Sequence, residues 1–442
     1  MNRTGDVCPL AAPPAAHARA RDRLARSLVL RRFRQLEHGH IKLEDDGVQQ
    51  EFGRPGGEAL AAEIKVLDPR CYRHIVLGGS LGAVEAFVHG YWTCSDLVSL
   101  VRIFCRNAAL SSGLEGRPAR LLSPLVRFGH WLRRNTASGS RRNIAAHYDL
   151  GNEFFALFLD STMAYSSAVF PRADSSLEEA SQAKFAGICR QLELKPSDHV
   201  LEIGTGWGGF ALYAAQHCGC RITTTTISRK QYTYAQQQVA AAGLSDRITV
   251  LNDDYRTLTG VYDKLVSIEM IEAVGHQYFD TYFRLCSQRL KPQGLMLLQA
   301  NVIPDQRFDR YRRSVDFIQR YIFPGGCLPS VGAICRSLGR VTDLRLVHLD
   351  DITPHYAETL ALWRQRFRAN RDQVRNLGFS EEFLRTWEYY FCYCEGGFRE
   401  CAIGDVQMLL AKPACRPTAL RSAQVTEPSG AHRPGTTMVQ VD

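Results

Sequence analysis

The chain has 442 residues, 45% of them hydrophobic and 22% charged, which suits a globular protein with a sizeable core and two or three domains. Its formal net charge of +9 favours an anionic partner, while no apolar run reaches the roughly 18 residues of a membrane span and no zinc-finger or RNP-type motif supports nucleic acid. The fourteen cysteines are scattered with no C-x-x-C pair, so reduced thiols in the cytoplasm are expected, with no disulfide framework and no structural metal site.

Residues 1–18 are rich in Ala and Pro and are expected to be disordered. Residues 19–34 carry seven arginines and one acid. Leu24, Leu28 and Phe33 are helix-spaced, which reads either as a helix on anionic lipid or as a solvated basic helix. Residues 35–110 read as a small mixed α+β domain. HIKLEDDGVQQEFG is a hairpin with Asp46-Gly47 at its turn, AEIKVLD is a strand, and helices follow around 69–78 and 80–89. Residues 111–143, rich in Gly, Ser, Pro and Arg, read as a linker. From 144 to 412 the pattern is α/β. Ser176 and Glu179 mark a capped helix, and HVLEIG, RITTTTI, ITVLNDDY, YDKLVSIEM and GLMLLQANVI are strands alternating with helices. That alternation predicts a Rossmann-like parallel sheet with helices on both faces and a ligand at the strand C-termini. Residues 413–442 are Pro/Ser/Thr-rich and read as a disordered tail.

The stretch LEIGTGWGGF (201–210) spells G-x-G-x-x-G through Gly204, Gly206 and Gly209. A dinucleotide site usually places an acid about 20 residues beyond the glycines, yet no Asp or Glu occurs between Glu202 and Asp246. Glu202 stands directly before the loop instead. A pyrophosphate would be repelled there, whereas a cationic cofactor with free hydroxyls would not. The pattern therefore resembles the first motif of the class I S-adenosylmethionine (SAM)-dependent methyltransferases.

Four further segments occur in order with it: AAHYDLGNEFFALFLDSTMAYSSAVF (145–170), SIEMIEAVGHQYFDTYF (267–283), RYIFPGGCLPS (320–330) and CYCEGGFRECAIGDVQMLL (392–410). Together, and with CYRHIVLGGSLGAVEAFVHGYW in the small domain, they resemble the cyclopropane fatty acid synthase and mycolic acid methyltransferase family across roughly residues 35–412. The resemblance implies methyl transfer from SAM to the cis double bond of an unsaturated phospholipid acyl chain, then closure to a cyclopropane with bicarbonate as base. Methyl- or methylene-branched lipids, or methylation of a small amine, are the alternative outcomes. It implies SAM contacts from Tyr165, Ser166, Glu202, Gly204, Thr205, Gly206, Gly208, Thr226, Ser228, Gln231, Tyr255 and Arg256. It places Glu272 and Tyr356 at the bicarbonate, with Glu269 as the competing acid, and Cys394 near the active site. The chain departs from the family at Ser167, where Cys is common, at Ala273, where His is frequent, and at Gln299, also a His position. Ser167 and Gln299 can still hydrogen-bond bicarbonate, but Gln299 cannot act as acid or base. The family reading further implies peripheral attachment to the inner membrane face, and its members are often homodimers.

Overall fold

The computed structural model describes residues 20–54, 60–107 and 150–416. The expectations for residues 1–18, for the linker at 111–143 and for the tail beyond 416 lie outside them.

Residues 20–107 contain α1 (Ala20–Phe33), the strands β1 (Gly39–Asp45), β2 (Val48–Arg54) and β3 (Ala61–Val66), then α2 (Arg70–Val88), β4 (Trp92–Cys94) and α3 (Leu97–Arg106). The hairpin turns where expected: Asp46 and Gly47 have φ of 51° and 75°, the left-handed pair a two-residue turn needs. Strand order is β2-β1-β3-β4, with β3 parallel to β1 and the other pairs antiparallel.

α1 corrects the expectation of a separate basic segment before residue 35. Ala25, Val29, Leu30 and Phe33 are buried in the same core as Leu43, Ile64 and Phe87, so the helix belongs to the small domain. Leu24 and Leu28 point away from that core and are 66% and 46% exposed. The i, i+4, i+8 set Ala25–Val29–Phe33 forms the buried stripe, and the two leucines fall on the opposite face. Asp45 ties the layer together, accepting from Arg26 Nε of α1 and, at 2.7 Å, from the Tyr72 hydroxyl of α2.

The second unit is a seven-stranded sheet. Its strands are β5 (His199–Ile203), β6 (Arg221–Thr225), β7 (Ile248–Leu251), β8 (Tyr262–Ile268), β9 (Leu290–Val302), β10 (Arg345–Asp351) and β11 (Gly404–Ala411), in the order β10-β11-β9-β8-β5-β6-β7. β5 to β9 are parallel, as expected; β11 runs antiparallel to β9 and β10 antiparallel to β11. The chain runs outward from β5 through β6 to β7 and returns to β5's other side as β8. The crevice outside the ends of β5 and β8 is therefore the topological switch point where ligands bind.

The helices are α4 (Asn152–Ala156), α5 (Leu177–Gln191), α6 (Gly209–Cys218), α7 (Arg229–Ala241), α8 (Phe279–Gln288), α9 (Asp305–Tyr311), α10 (Val331–Val341), α11 (Thr353–Ala369), α12 (Arg371–Asn376) and α13 (Glu381–Arg399). α5 carries the anticipated capping box between Ser176 and Glu179. α13 packs against α11 and also against α3 of the small domain, joining the two units.

Close backbone approach sets the shape of α2. Gly79 leaves the helical conformation (φ 60°, ψ −135°), and a Cβ on Gly82 would sit 1.9 Å from the His74 carbonyl oxygen. Gly82→Ala is expected to destabilise the small domain by about 2 kcal/mol or more, because backbone cannot yield as a side chain can. Denaturant unfolding followed by Trp fluorescence measures it; Gly78→Ala, with open space at its Cβ, is the control.

Candidate active site

The glycine loop leaves β5 through Gly204, Gly206 and Gly208, with φ of 104°, 53° and 93°, where a Cβ would be strained. Gly204 N and Thr205 N both donate to the Thr225 carbonyl, at 3.1 and 3.0 Å, fixing the loop to the end of β6. Glu202 is buried beneath it and accepts from Thr224 Oγ1 at 2.5 Å. Burial pushes its carboxyl up to about 8, against the pull of that hydrogen bond. The four-threonine run serves more than strand propensity: Thr224 also bonds Thr205 at 2.7 Å, and Thr226 donates to Gln231 Oε1 at 2.8 Å.

A cavity of about 810 Å³ opens in front of this loop. Tyr165, Ser166, Glu202, Gly204, Thr205, Gly206, Thr226, Gln231, Tyr255 and Arg256, which the resemblance assigns to SAM, line it. Added at Gly206, a Cβ would meet no atom within 4 Å, so the loop presents bare backbone to open space. Loop, buried acid and cavity together fit SAM. Gly208 and Ser228 serve the frame instead: Gly208 is the left-handed residue ahead of α6, and Ser228 caps α7. Arg256 is held by Asp254 through bonds of 2.8 and 2.6 Å.

Beyond the cofactor end the cavity meets a carboxylate cluster at the ends of β8, β9 and β11. Four donors converge on Glu269. Ser167 N (2.8 Å) and Gln299 Nε2 (2.7 Å) reach Oε1; Tyr356 OH (2.8 Å) and Asn301 Nδ2 (3.1 Å) reach Oε2. Ser167, Gln299 and Tyr356 are residues that the resemblance assigns to bicarbonate, and here they bind a side chain of the protein. Ser167 does so through its backbone; its hydroxyl donates to the Ala168 carbonyl. Glu269 has φ of 48°, a left-handed conformation costing a non-glycine residue roughly 1–2 kcal/mol.

Glu272 lies on the same wall, accepting from Asn301 N at 2.5 Å. Burial, then the charge of Glu269, pushes it up to about 8. Asp405, fully buried at the start of β11, shares the Gln299 amide with Glu269 at 3.1 Å. Burial and the charges of Glu269 and Glu272 hold it well above the usual carboxylate range. Gln299 is oriented by Gln407, whose amide donates to Gln299 Oε1 at 3.0 Å. Lys184 is buried nearby and donates to Ser166 Oγ at 2.6 Å, and burial lowers its pKa. Cys394 lines the cavity, and burial pushes its thiol up, an environment that disfavours a thiolate nucleophile. Tyr165, Phe323 and Tyr390 supply aromatic lining, with the Tyr165 hydroxyl donating to that of Tyr390 at 3.0 Å.

Glu269 was visible in the sequence only as a competing acid. Asp405, Asn301 and Lys184 were not singled out, although Asp405 lies inside a quoted motif. Among the described residues there is no group of three or more side chains suited to a metal.

Fold and site define a class I SAM-dependent methyltransferase. The model of the mycolic acid cyclopropane synthetase family matches residues 135–408, and the chain belongs to that family. It is 40% identical over 358 residues to the tuberculostearic acid methyltransferase of Mycobacterium tuberculosis, covering 77% of this chain and 81% of that one. It is 37% identical over 343 residues to the cyclopropane-fatty-acyl-phospholipid synthase of Escherichia coli K12, covering 76% and 85%. A solved cyclopropane synthase of M. tuberculosis superposes with a TM-score of 0.58 at 30% identity, covering 62% of this chain and 98% of that one.

The raised carboxyls of Glu202 and Glu272 set a pH dependence. Folding holds their protons more tightly than the unfolded chain does, so this stabilisation is complete below about pH 4.5 and is lost as pH rises through about 8. Urea unfolding without SAM, repeated from pH 5 to 9, is expected to show that decline. Glu202→Gln or Glu272→Gln should flatten it.

Proposed function

We propose that the enzyme transfers the SAM methyl group to the cis double bond of an unsaturated phospholipid acyl chain, and that Glu269 removes the proton whose loss completes the reaction. The observation that carries the reading is the Glu269 carboxylate, fixed by four donors on the wall of a largely apolar cavity that continues from the cofactor loop. SAM supplies an electrophilic methyl group, which a weak alkene nucleophile requires. Glu202 would accept the ribose hydroxyls, and Gln231 takes over the role of the missing downstream acid. The alkene electron pair forms the new C–C bond as the S–CH3 bond breaks, leaving a carbocation. Tyr165, Phe323 and Tyr390 face that charge with their rings. Loss of one proton to Glu269 then gives a net gain of CH2. The resident carboxylate thus does the work that the resemblance assigns to bicarbonate.

Direct loss of the proton from the transferred methyl closes a cyclopropane. The same loss after a hydride shift leaves a methylene branch of equal mass. Glu269 and Gln299, with the 40% identity to a tuberculostearic acid methyltransferase, favour the second outcome; the similarity to cyclopropane synthases favours the first. A saturated methyl branch needs a hydride donor besides. For membrane attachment, α1 supplies support: exposed Leu24 and Leu28 lie between Arg21, Arg31 and Arg32 on the face turned from the core. The inner, cytoplasmic face is the proposed location.

Incubation with SAM and dioleoyl phospholipid vesicles should raise the fatty acid mass by one CH2, and ozonolysis separates an intact ring from a cleaved methylene. No mass gain would sink the reading. Glu269→Gln should lower kcat by roughly 10²–10⁴, the usual worth of a general base, with SAM affinity nearly unchanged. Glu269→Gly relieves the left-handed strain and leaves a carboxylate-sized gap among four donors. Added bicarbonate is expected to restore activity to it, while the parent enzyme should be indifferent to bicarbonate removal. A parent enzyme that stops when bicarbonate is stripped would return the base to the ion.

A further inference from the structure

We infer that the arginines where the cavity reaches the surface, at the seam between α3 and α9, form a seat for the phosphate of a phospholipid head group. This rests on the acyl-chain reading above and names the part of the substrate that lies outside the cavity.

Arg307 and Arg310 of α9 line the cavity and are exposed. Cys105 of α3 and Ala402 of the loop between α13 and β11 line it beside them. Arg307 Nη1 donates to the Ala402 carbonyl at 2.9 Å, two residues beyond Glu400 in the chain. Arg102 and Arg106 of α3 approach the same Glu400, at 2.7 and 2.8 Å on its two oxygens. The charges of Glu400 and Arg307 both act on the Cys105 thiol, in opposite directions. The acids of α9 are engaged away from the seam: Asp305 accepts from Ser330 and Gly332, and Asp309 from Arg312. Arg102 and Arg106 thus share one carboxylate, and Arg307 brings a third guanidinium to the same seam, where Arg310 also lines the rim of the apolar cavity.

Such an excess of fixed positive charge attracts an anion, and the cavity requires that anion to be joined to an acyl chain. A phosphodiester meets both demands. Its unesterified oxygens accept the paired N–H groups of a guanidinium, and several forks can share one phosphate. The diacylglycerol part then places one chain in the cavity while the phosphate stays at the rim. A carboxylate, as in a free fatty acid, carries the same charge on two oxygens but joins the chain with no glycerol to span from the rim into the cavity.

The test holds surface charge constant. Host vesicles are dipalmitoyl phosphatidylglycerol, which carries no double bond. The guests are dioleoyl phosphatidylglycerol, dioleoylglycerol and oleic acid. The full-length enzyme is expected to favour the phospholipid over dioleoylglycerol at least tenfold in kcat/KM. Arg307→Gln combined with Arg310→Gln should erase most of that preference through KM, and the corresponding Lys pair should restore part of it. SAM affinity by calorimetry reports that the variants are folded. Equal losses on phospholipid and dioleoylglycerol would overturn the seat, since the arginines would then serve only membrane docking; a preference for oleic acid would overturn it too. If no guest gains CH2 with the parent enzyme, the acyl-chain reading itself falls.

Discussion

A negative charge held ready beside an apolar cavity is the constraint on which the rest of this structure depends. Left alone, a carboxylate there would neutralise itself or draw in water. Glu269 is kept in place by four donors from three directions: the backbone after Tyr165-Ser166, two amides of β9, and the Tyr356 hydroxyl of α11. Two of these donors are themselves anchored. Gln299 is locked by Gln407, and Tyr356 stacks on Phe398 at 4.5 Å between ring centres. The antiparallel strand β11 is what makes this possible, because it carries both Gln407 and Asp405 into the cluster.

Around that point the carboxyls divide into two kinds. Glu269 receives donors on both oxygens. Burial raises Glu202, Glu272 and Asp405, the first two to about 8. Lys184 adds a buried amine beside Ser166 that moderates the same field.

The small domain takes part in the site and does not merely sit beside it. Val29 and Phe33 of α1, Ile64 of β3 and Trp92 of β4 line the same cavity as the glycine loop. Tyr321, in the segment after α9, donates to Glu85 of α2 at 2.6 Å, and Arg320 pairs with Glu85 at 3.1 Å. These bonds and the packing of α3 on α13 hold the two units together around the cavity.

Features whose cause is local were legible in the sequence: the Asp46-Gly47 turn, the Ser176–Glu179 cap, the glycine loop with Glu202 ahead of it, and the five parallel strands. Each depends on neighbours a few residues away or on simple periodicity. The family and the cofactor followed from the order of short motifs. What the tertiary structure alone decided is non-local. α1 has apolar residues on two faces, and only packing against β1 and α2 chose Ala25–Val29–Phe33 as the buried one. β10 and β11 escaped notice because they break the regular strand–helix alternation: about fifty residues carrying three helices separate them, and they run antiparallel to their neighbours. Glu269 and Glu272 are three residues apart and chemically alike. Which one receives the donors depends on the left-handed turn at Glu269, set where β8 meets β9, β11 and α11, and no stretch of sequence contains all four.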